Sequence, residues 1–206
     1  MVMLSSWQWL VAIAAAVPCF LMAHRLWRVW RDPESVEGGR WVEYGISILV
    51  MEFVLIHSGA VMGGMAGSPS TVVTVLSMAG LIAFYSLFAA AIAYGMKSPG
   101  LFRSFLLIML GRVVTIVWAT GSEVSGYLLA QSMVSVVLYL FVAVLSLLPL
   151  PAFGLANPKY ARQLRKDGGR GLWVEKPHRA IGAATIYFLL LGLAQVYFFG
   201  SLAVGA

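Results

Sequence analysis

The sequence predicts an all-α integral membrane protein, a bundle of six transmembrane helices. Of its 206 residues, 61% are hydrophobic and only 11% are charged, a balance that does not suit a water-soluble domain. The apolar residues also gather in runs of about twenty, the length that a helix needs to cross a bilayer. These runs are too long and too uniformly apolar for the alternating strands of a membrane barrel. We therefore expect residues 1–206 to form a single transmembrane domain.

Six stretches combine this length with few charges, and each is predicted to be a span. They cover residues 7–27, 43–65, 71–95, 101–119, 126–149 and 180–203. The first helix should continue past its span until Asp32-Pro33 stops it, because the residue before a proline disfavours helical backbone. Between the last two spans, Asn157-Pro158 and a basic segment closed by Gly168-Gly169 predict a short capped helix.

Basic residues predict the orientation, because Lys and Arg stay on the cytoplasmic side of a membrane. All of the 14 Lys and Arg residues except Arg112 lie in or beside alternate connections, which are 28–42, 96–100 and 150–179. We expect these loops in the cytoplasm, both ends of the chain outside in the periplasm or extracellular space, and the protein in the cytoplasmic (inner) membrane. The net charge of +6 then reflects topology, and no nucleic-acid partner is expected.

Ionised side chains inside an apolar run mark the candidate site, because each costs about 2.5 to 3.5 kcal/mol near the bilayer centre. Glu52 and Arg112 meet this description. At about 1.5 Å of rise per residue they lie at similar depth, so a charge-assisted pair is predicted if their helices are neighbours. His57 lies about 7 Å further outward and about 140° around the helix.

Three uses of Glu52, Arg112 and His57 are open. The pair could fix which helices pack together, or the Glu and His could carry protons or small ions, with Arg112 lowering the pKa of the carboxylate. In the third, His57 binds haem, or binds copper together with the thioethers of Met62 and Met65. No other metal site is predicted.

Further polar and small residues could line or pack the bundle interior. Tyr127, Gln131, Ser135 and Tyr139 recur every four residues and form a polar stripe, to which Thr115 and Gln195 could add. The stripe is either a hydrated path or a seam of hydrogen bonds between helices, and the seam is the commoner use of such residues. Close helix packing is predicted at three glycines with four-residue spacing, Gly59, Gly63 and Gly67.

The last cytoplasmic loop is strongly basic and has two interpretations. It could contact anionic lipid headgroups or an acidic partner surface, or its charge could serve orientation alone. The basic residues concerned are Lys159, Arg162, Arg165, Lys166 and Arg170.

No catalytic motif is present, whether HExxH, GxSxG, a phosphate-binding GxxxxGK[ST] or CxxC, so an enzyme is not the expected class. Cys19 is the one cysteine in the sequence. A single cysteine cannot form an internal disulfide or a cysteine-based zinc site. We expect a non-catalytic membrane subunit or accessory protein of a larger assembly, with the lipid bilayer and other membrane subunits or further copies of the chain as partners. The alternatives are a small proton, ion or solute transporter or channel, and a haem- or copper-binding membrane protein.

Overall fold

The part of the chain that the structure describes is helical and contains no strand. A computed structural model of the chain describes residues 6–65, 71–95, 102–103, 105–107, 109–110, 122–166 and 170–196. The α-helices are α1 (Ser6–Arg31), α2 (Trp41–Met65), α3 (Thr71–Gly95), α4 (Ser122–Leu145), α5 (Pro158–Lys166), α6 (Leu172–Glu175) and α7 (Pro177–Ala194). The described residues between 102 and 110 are helical as well. The predicted all-α class is confirmed.

Three of these helices are long and apolar enough to cross a membrane. They are Trp41–Val61 within α2, Val75–Gly95 within α3 and Pro177–Ala194, the whole of α7. Residues Ser132–Leu145 of α4 form a shorter apolar segment. Most of the predicted span at 101–119 lies outside the described residues, as does the end of the one predicted at 180–203.

The helix ends follow the local signals in the sequence. Helix α1 ends at Arg31, directly before Asp32-Pro33, as predicted. The predicted loop helix is also present as α5. Its Asn157 side chain accepts a hydrogen bond of 3.0 Å from the backbone N–H of Lys159, which satisfies a donor at the helix start that would otherwise lack a partner. Gly168-Gly169, the predicted stop, lies outside the described residues.

The chain divides into two compact units, and the first combines its two ends, Met1–Leu49 and Val137–Ala206. Helix α7 is the centre of this unit, since most of its side chains are buried. Helix α1 packs along it. The buried residues Ala23, Leu26 and Trp30 of α1 lie on one face, because of the three- and four-residue spacing of a helix.

Glycines allow these helices to approach closely. A Cβ atom at Gly182 of α7 would lie 2.7 Å from Cζ2 of Trp30, and one at Gly192 would lie 2.8 Å from Cε1 of Phe20. Gly45 of α2 is equally tight, since a Cβ there would lie 2.5 Å from Cδ1 of Ile181. A real Cβ atom does not fit at such distances. The close packing of these helices is therefore possible only because glycine has no side chain at these positions.

The second unit, Val50–Val136, has its own apolar cluster. Its buried residues come from α2, from α3 and from the 102–110 region, and they are Met51, Val54, Leu55, Met78, Ala89, Phe105 and Met109. Much of α3 is left exposed, with Leu87 70% and Leu76 67% accessible. Such a large exposed apolar surface is compatible with a lipid environment.

The close approach at Gly182 leads to a stability prediction. Gly182→Ala should destabilise the first unit by about 1–3 kcal/mol, because the new methyl group meets the buried Trp30 ring. Gly80→Ala is the matched control, since a Cβ at Gly80 of α3 meets nothing within 4 Å. Thermal unfolding in detergent, followed by tryptophan fluorescence, measures the difference. Equal melting temperatures for both variants would contradict the packing described.

Candidate functional site

Glu52 and His57, the predicted intramembrane residues on α2, both lie within the apolar segment Trp41–Val61. Glu52 is half-buried, whereas His57 is exposed. The His57 ring is 4.5 Å from that of Phe53, centroid to centroid, and Phe53 is itself 46% accessible. Arg112 lies outside the described residues, so its pairing with Glu52 stays a prediction.

Phe53 and His57 form an exposed edge of helix α2. This edge combines an apolar and a polar ring one helical turn apart. A neutral imidazole has one N–H donor and one acceptor nitrogen. In hydrocarbon, a polar group without hydrogen-bond partners costs several kcal/mol. If α2 spans a bilayer, this edge therefore needs a water-filled cavity or polar groups from other protein.

Of the predicted polar stripe, Tyr139 contacts residues of two other helices. It is buried, and its hydroxyl donates a hydrogen bond of 3.2 Å to the carbonyl oxygen of Leu49 on α2. Its ring lies edge-on to that of Tyr187 at 5.9 Å. This is the kind of contact that the seam interpretation predicts.

The other polar residues predicted to line the bundle interior are described only in part. Ser135 is half-buried on α4, and Gln195 is buried just after α7 ends. The side chains of Tyr127 and Gln131 and the whole of Thr115 lie outside the described part of the chain.

The predicted glycine and methionine positions are described only in part. Gly59 is buried in α2, whereas Gly67 and the surroundings of Gly63, Met62 and Met65 lie outside what the structure describes. No group of three or more His, Cys, Asp or Glu side chains that could hold a metal occurs among the described residues. The tight glycines identified above, at positions 45, 182 and 192, are ones that regular spacing did not point to.

In the basic loop, Lys159 forms an ion pair that the sequence did not predict. Its Nζ donates a hydrogen bond to the carboxylate of Glu34, and the hydroxyl of Tyr160 donates another to the same oxygen at 2.6 Å. Nearby, Gly39 has a φ of +83°, and a Cβ there would lie 3.1 Å from Cε1 of Tyr160. A left-handed glycine thus lets the segment after α1 pass close to α5.

These contacts change two pKa values. The hydrogen bonds from Lys159 and then Tyr160 lower the pKa of Glu34 from its ordinary 4.5, because both favour the carboxylate form. Burial raises the pKa of the Tyr160 phenol, and the bond to Glu34 raises it further. The phenol therefore stays protonated and acts as a donor at physiological pH.

Other polar contacts hold the remaining loop segments. Arg165 lies 3.7 Å from a carboxylate oxygen of Glu175. It is exposed, as are Arg162, Lys166 and Arg170. The connection that follows α4 is fixed by three donors from other segments. Trp30 donates to the carbonyl of Pro151 (2.8 Å), Trp173 to the hydroxyl of Ser146 (3.0 Å) and Arg179 to the carbonyl of Leu147 (2.8 Å).

Two regions are thus candidate functional sites. They are the polar positions of the apolar segment of α2 and the basic loop around α5. The first has an acid and an imidazole that could hold or pass protons, and the second has guanidinium groups suited to anions. Compared with protein-family models, curated proteins and solved structures, the chain matches none of them.

The Glu34 contacts predict a pH dependence for the docking of α5. Because the folded-state pKa of Glu34 is lowered, its contribution to stability is present above pH 4.5, the ordinary pKa, and is lost as pH falls through the folded-state value. Glu34→Gln should therefore reduce amide protection across 158–166 at neutral pH, measured by hydrogen exchange.

The difference in protection between wild type and Glu34→Gln should shrink as the medium is acidified below pH 4.5. Glu37→Gln is the control, since Glu37 pairs with Arg25 rather than with α5. An equal loss of protection in both variants would contradict a specific role for Glu34.

Proposed function

We propose that the chain is a non-catalytic subunit or accessory protein of a larger assembly in the cytoplasmic membrane. It has six spans, both ends of the chain outside and the basic loops in the cytoplasm. The segregation of Lys and Arg into alternate loops supports this topology, and the three long apolar helices are compatible with it. The absence of catalytic motifs from the sequence favours a non-catalytic role.

The exposed edge of Phe53 and His57 carries the proposal. In our topology this edge lies within the bilayer, where an exposed imidazole is unfavourable. A transmembrane helix from another subunit, with a polar side chain opposite His57, would supply the hydrogen-bond partner and cover Phe53. The lipid-facing side of α3 has large apolar side chains such as Leu87 and needs no such partner.

Site-specific crosslinking in native membranes tests this proposal. In a Cys19→Ser background, Phe53→Cys and Leu87→Cys are each labelled with a benzophenone maleimide and irradiated. We expect position 53 to crosslink to a different membrane protein, identified by mass spectrometry, and position 87 to crosslink mainly to lipid. Lipid adducts alone at both positions, or crosslinks from position 53 to a second copy of the chain and to no other protein, would overturn the role in a larger assembly.

A small proton or ion transporter is the second candidate. It is favoured by the presence of two groups that can exchange protons, half-buried Glu52 and exposed His57, on one apolar segment, separated by about 7 Å of helix rise. In this hypothesis Arg112 pairs with the Glu52 carboxylate, as the sequence predicts.

Proton flux distinguishes the two candidates. If the chain is a transporter, the purified protein in liposomes should dissipate a pH gradient, and Glu52→Gln should abolish this flux while the protein remains folded. Ser47→Ala is the control for a nonspecific effect of changing a polar residue, since Ser47 lies on the same helix outside the predicted site and its hydroxyl donates to the carbonyl oxygen of Glu43. Absence of flux from the wild-type protein would reject the transporter hypothesis.

A further inference from the structure

A cavity of about 390 Å³ opens beside α5 in the first unit. Its lining comes from the 3-10 helix Phe153–Ala156, from α5, from the end of α6 and from the start of α7. The apolar wall includes Leu155, Ala161 and Pro177, and the polar wall consists mainly of Arg162, Arg165, Glu175 and His178. The volume is near the lower end of the range for small-molecule sites.

Among the described residues that line this cavity, positive charge exceeds negative charge. Arg165 lies 3.7 Å from Glu175, the only carboxylate among the described residues that line the cavity. Arg162 takes part in none of the ion pairs found among the described residues, which are Arg25–Glu37, Lys159–Glu34 and Arg165–Glu175. A second guanidinium therefore faces the cavity with its charge not balanced by any of these pairs.

The two arginines are held on a rigid support. Arg162 and Arg165 are three residues apart on α5, so they project from one side of the helix. The opposite side is anchored by the buried side chains of Tyr160 and Leu164, and Tyr160 is bonded to Glu34. A ligand would meet guanidinium groups whose helix is already fixed, which reduces the entropy cost of binding.

Guanidinium groups bind phosphate oxygens well, because their N–H donors match the spacing of two oxygens on one phosphorus atom. The apolar wall suits an uncharged group attached to that phosphate. The cavity also adjoins the first residues of α7, one of the helices apolar enough to cross a membrane. The phosphates of a bilayer lie at the ends of such helices.

We propose that this cavity binds a phosphate ester, with Arg162 and Arg165 on the phosphate oxygens and the apolar wall against the esterified group. In a membrane this ester is the headgroup phosphate of an anionic phospholipid, and a soluble phosphate compound shares the same chemistry. The proposal goes beyond the assembly role and does not depend on what covers the Phe53 and His57 edge.

Binding of dioctanoyl phosphatidylglycerol to the purified full-length protein in detergent tests the proposal by native mass spectrometry and titration. We expect one saturable site, and Arg162→Gln should weaken binding about tenfold, the loss of one charge-assisted contact. Lys166→Gln is the matched control, since Lys166 is exposed on the same helix but does not line the cavity. It should change affinity by less than about twofold, as expected for screened surface charge.

Glu175→Gln provides a second test, which remains informative even if the arginine variants do not fold. Removing the carboxylate frees Arg165 and removes repulsion of the phosphate, so the affinity should rise. The proposed site would be wrong if Arg162→Gln and Lys166→Gln weakened lipid binding equally and Glu175→Gln did not raise the affinity. That result would show that only the general positive charge attracts the lipid.

Competition identifies the source of the phosphate. If inorganic phosphate fails to displace the lipid at concentrations far above that of the lipid, the site takes a lipid headgroup. Displacement at comparable concentration shows that the site takes soluble phosphate compounds. Saturable binding of neither probe would overturn the proposal.

Discussion

The contact between Trp30 and Gly182 is the one on which the first unit depends. Trp30 is buried, its Nε1 donates to the carbonyl of Pro151, and its ring meets Phe153 edge-on at 5.1 Å. One indole thus joins α1, α7 and the connection that follows α4. A ring of this size fits against α7 only because position 182 has no side chain, so the large residue and the small one form a single packing unit.

The acidic residues near α1 and α7 give part of the basic charge a structural role. Glu34 binds Lys159, Glu37 binds Arg25, and Glu175 lies beside Arg165. Individually, such exposed pairs contribute little. Together with Tyr160, Trp30 and Trp173 they connect short segments to one another, so part of the positive charge organises the loop structure. Arg162 takes part in none of these pairs and lines the cavity.

The sequence predicts local features well and distant contacts poorly. Apolar run length predicts the helical class, Asp32-Pro33 predicts the end of α1, and Asn157-Pro158 predicts the start of α5, because each signal acts within a few residues. The pairing of Glu34 with Lys159 has no local signal. The same holds for Gly45 and Gly182, since close packing depends on which helix lies opposite, whereas four-residue spacing pointed to Gly59. For the candidate site, the polar positions on α2 are evident from composition, but the exposure of His57 follows only from the fold.

The first unit is built from the two ends of the chain, and this has a consequence for synthesis. Chains are made from the N-terminus, so α1 emerges long before α7, which begins only at Pro177. Residues Val50–Val136, which form the second unit, are all made in the interval. Until α7 is made, the Trp30 face of α1 lacks the surface against which it packs in the finished fold. Helix α1 is therefore made early but packs late, and the first unit can be completed only after α7 has been translated.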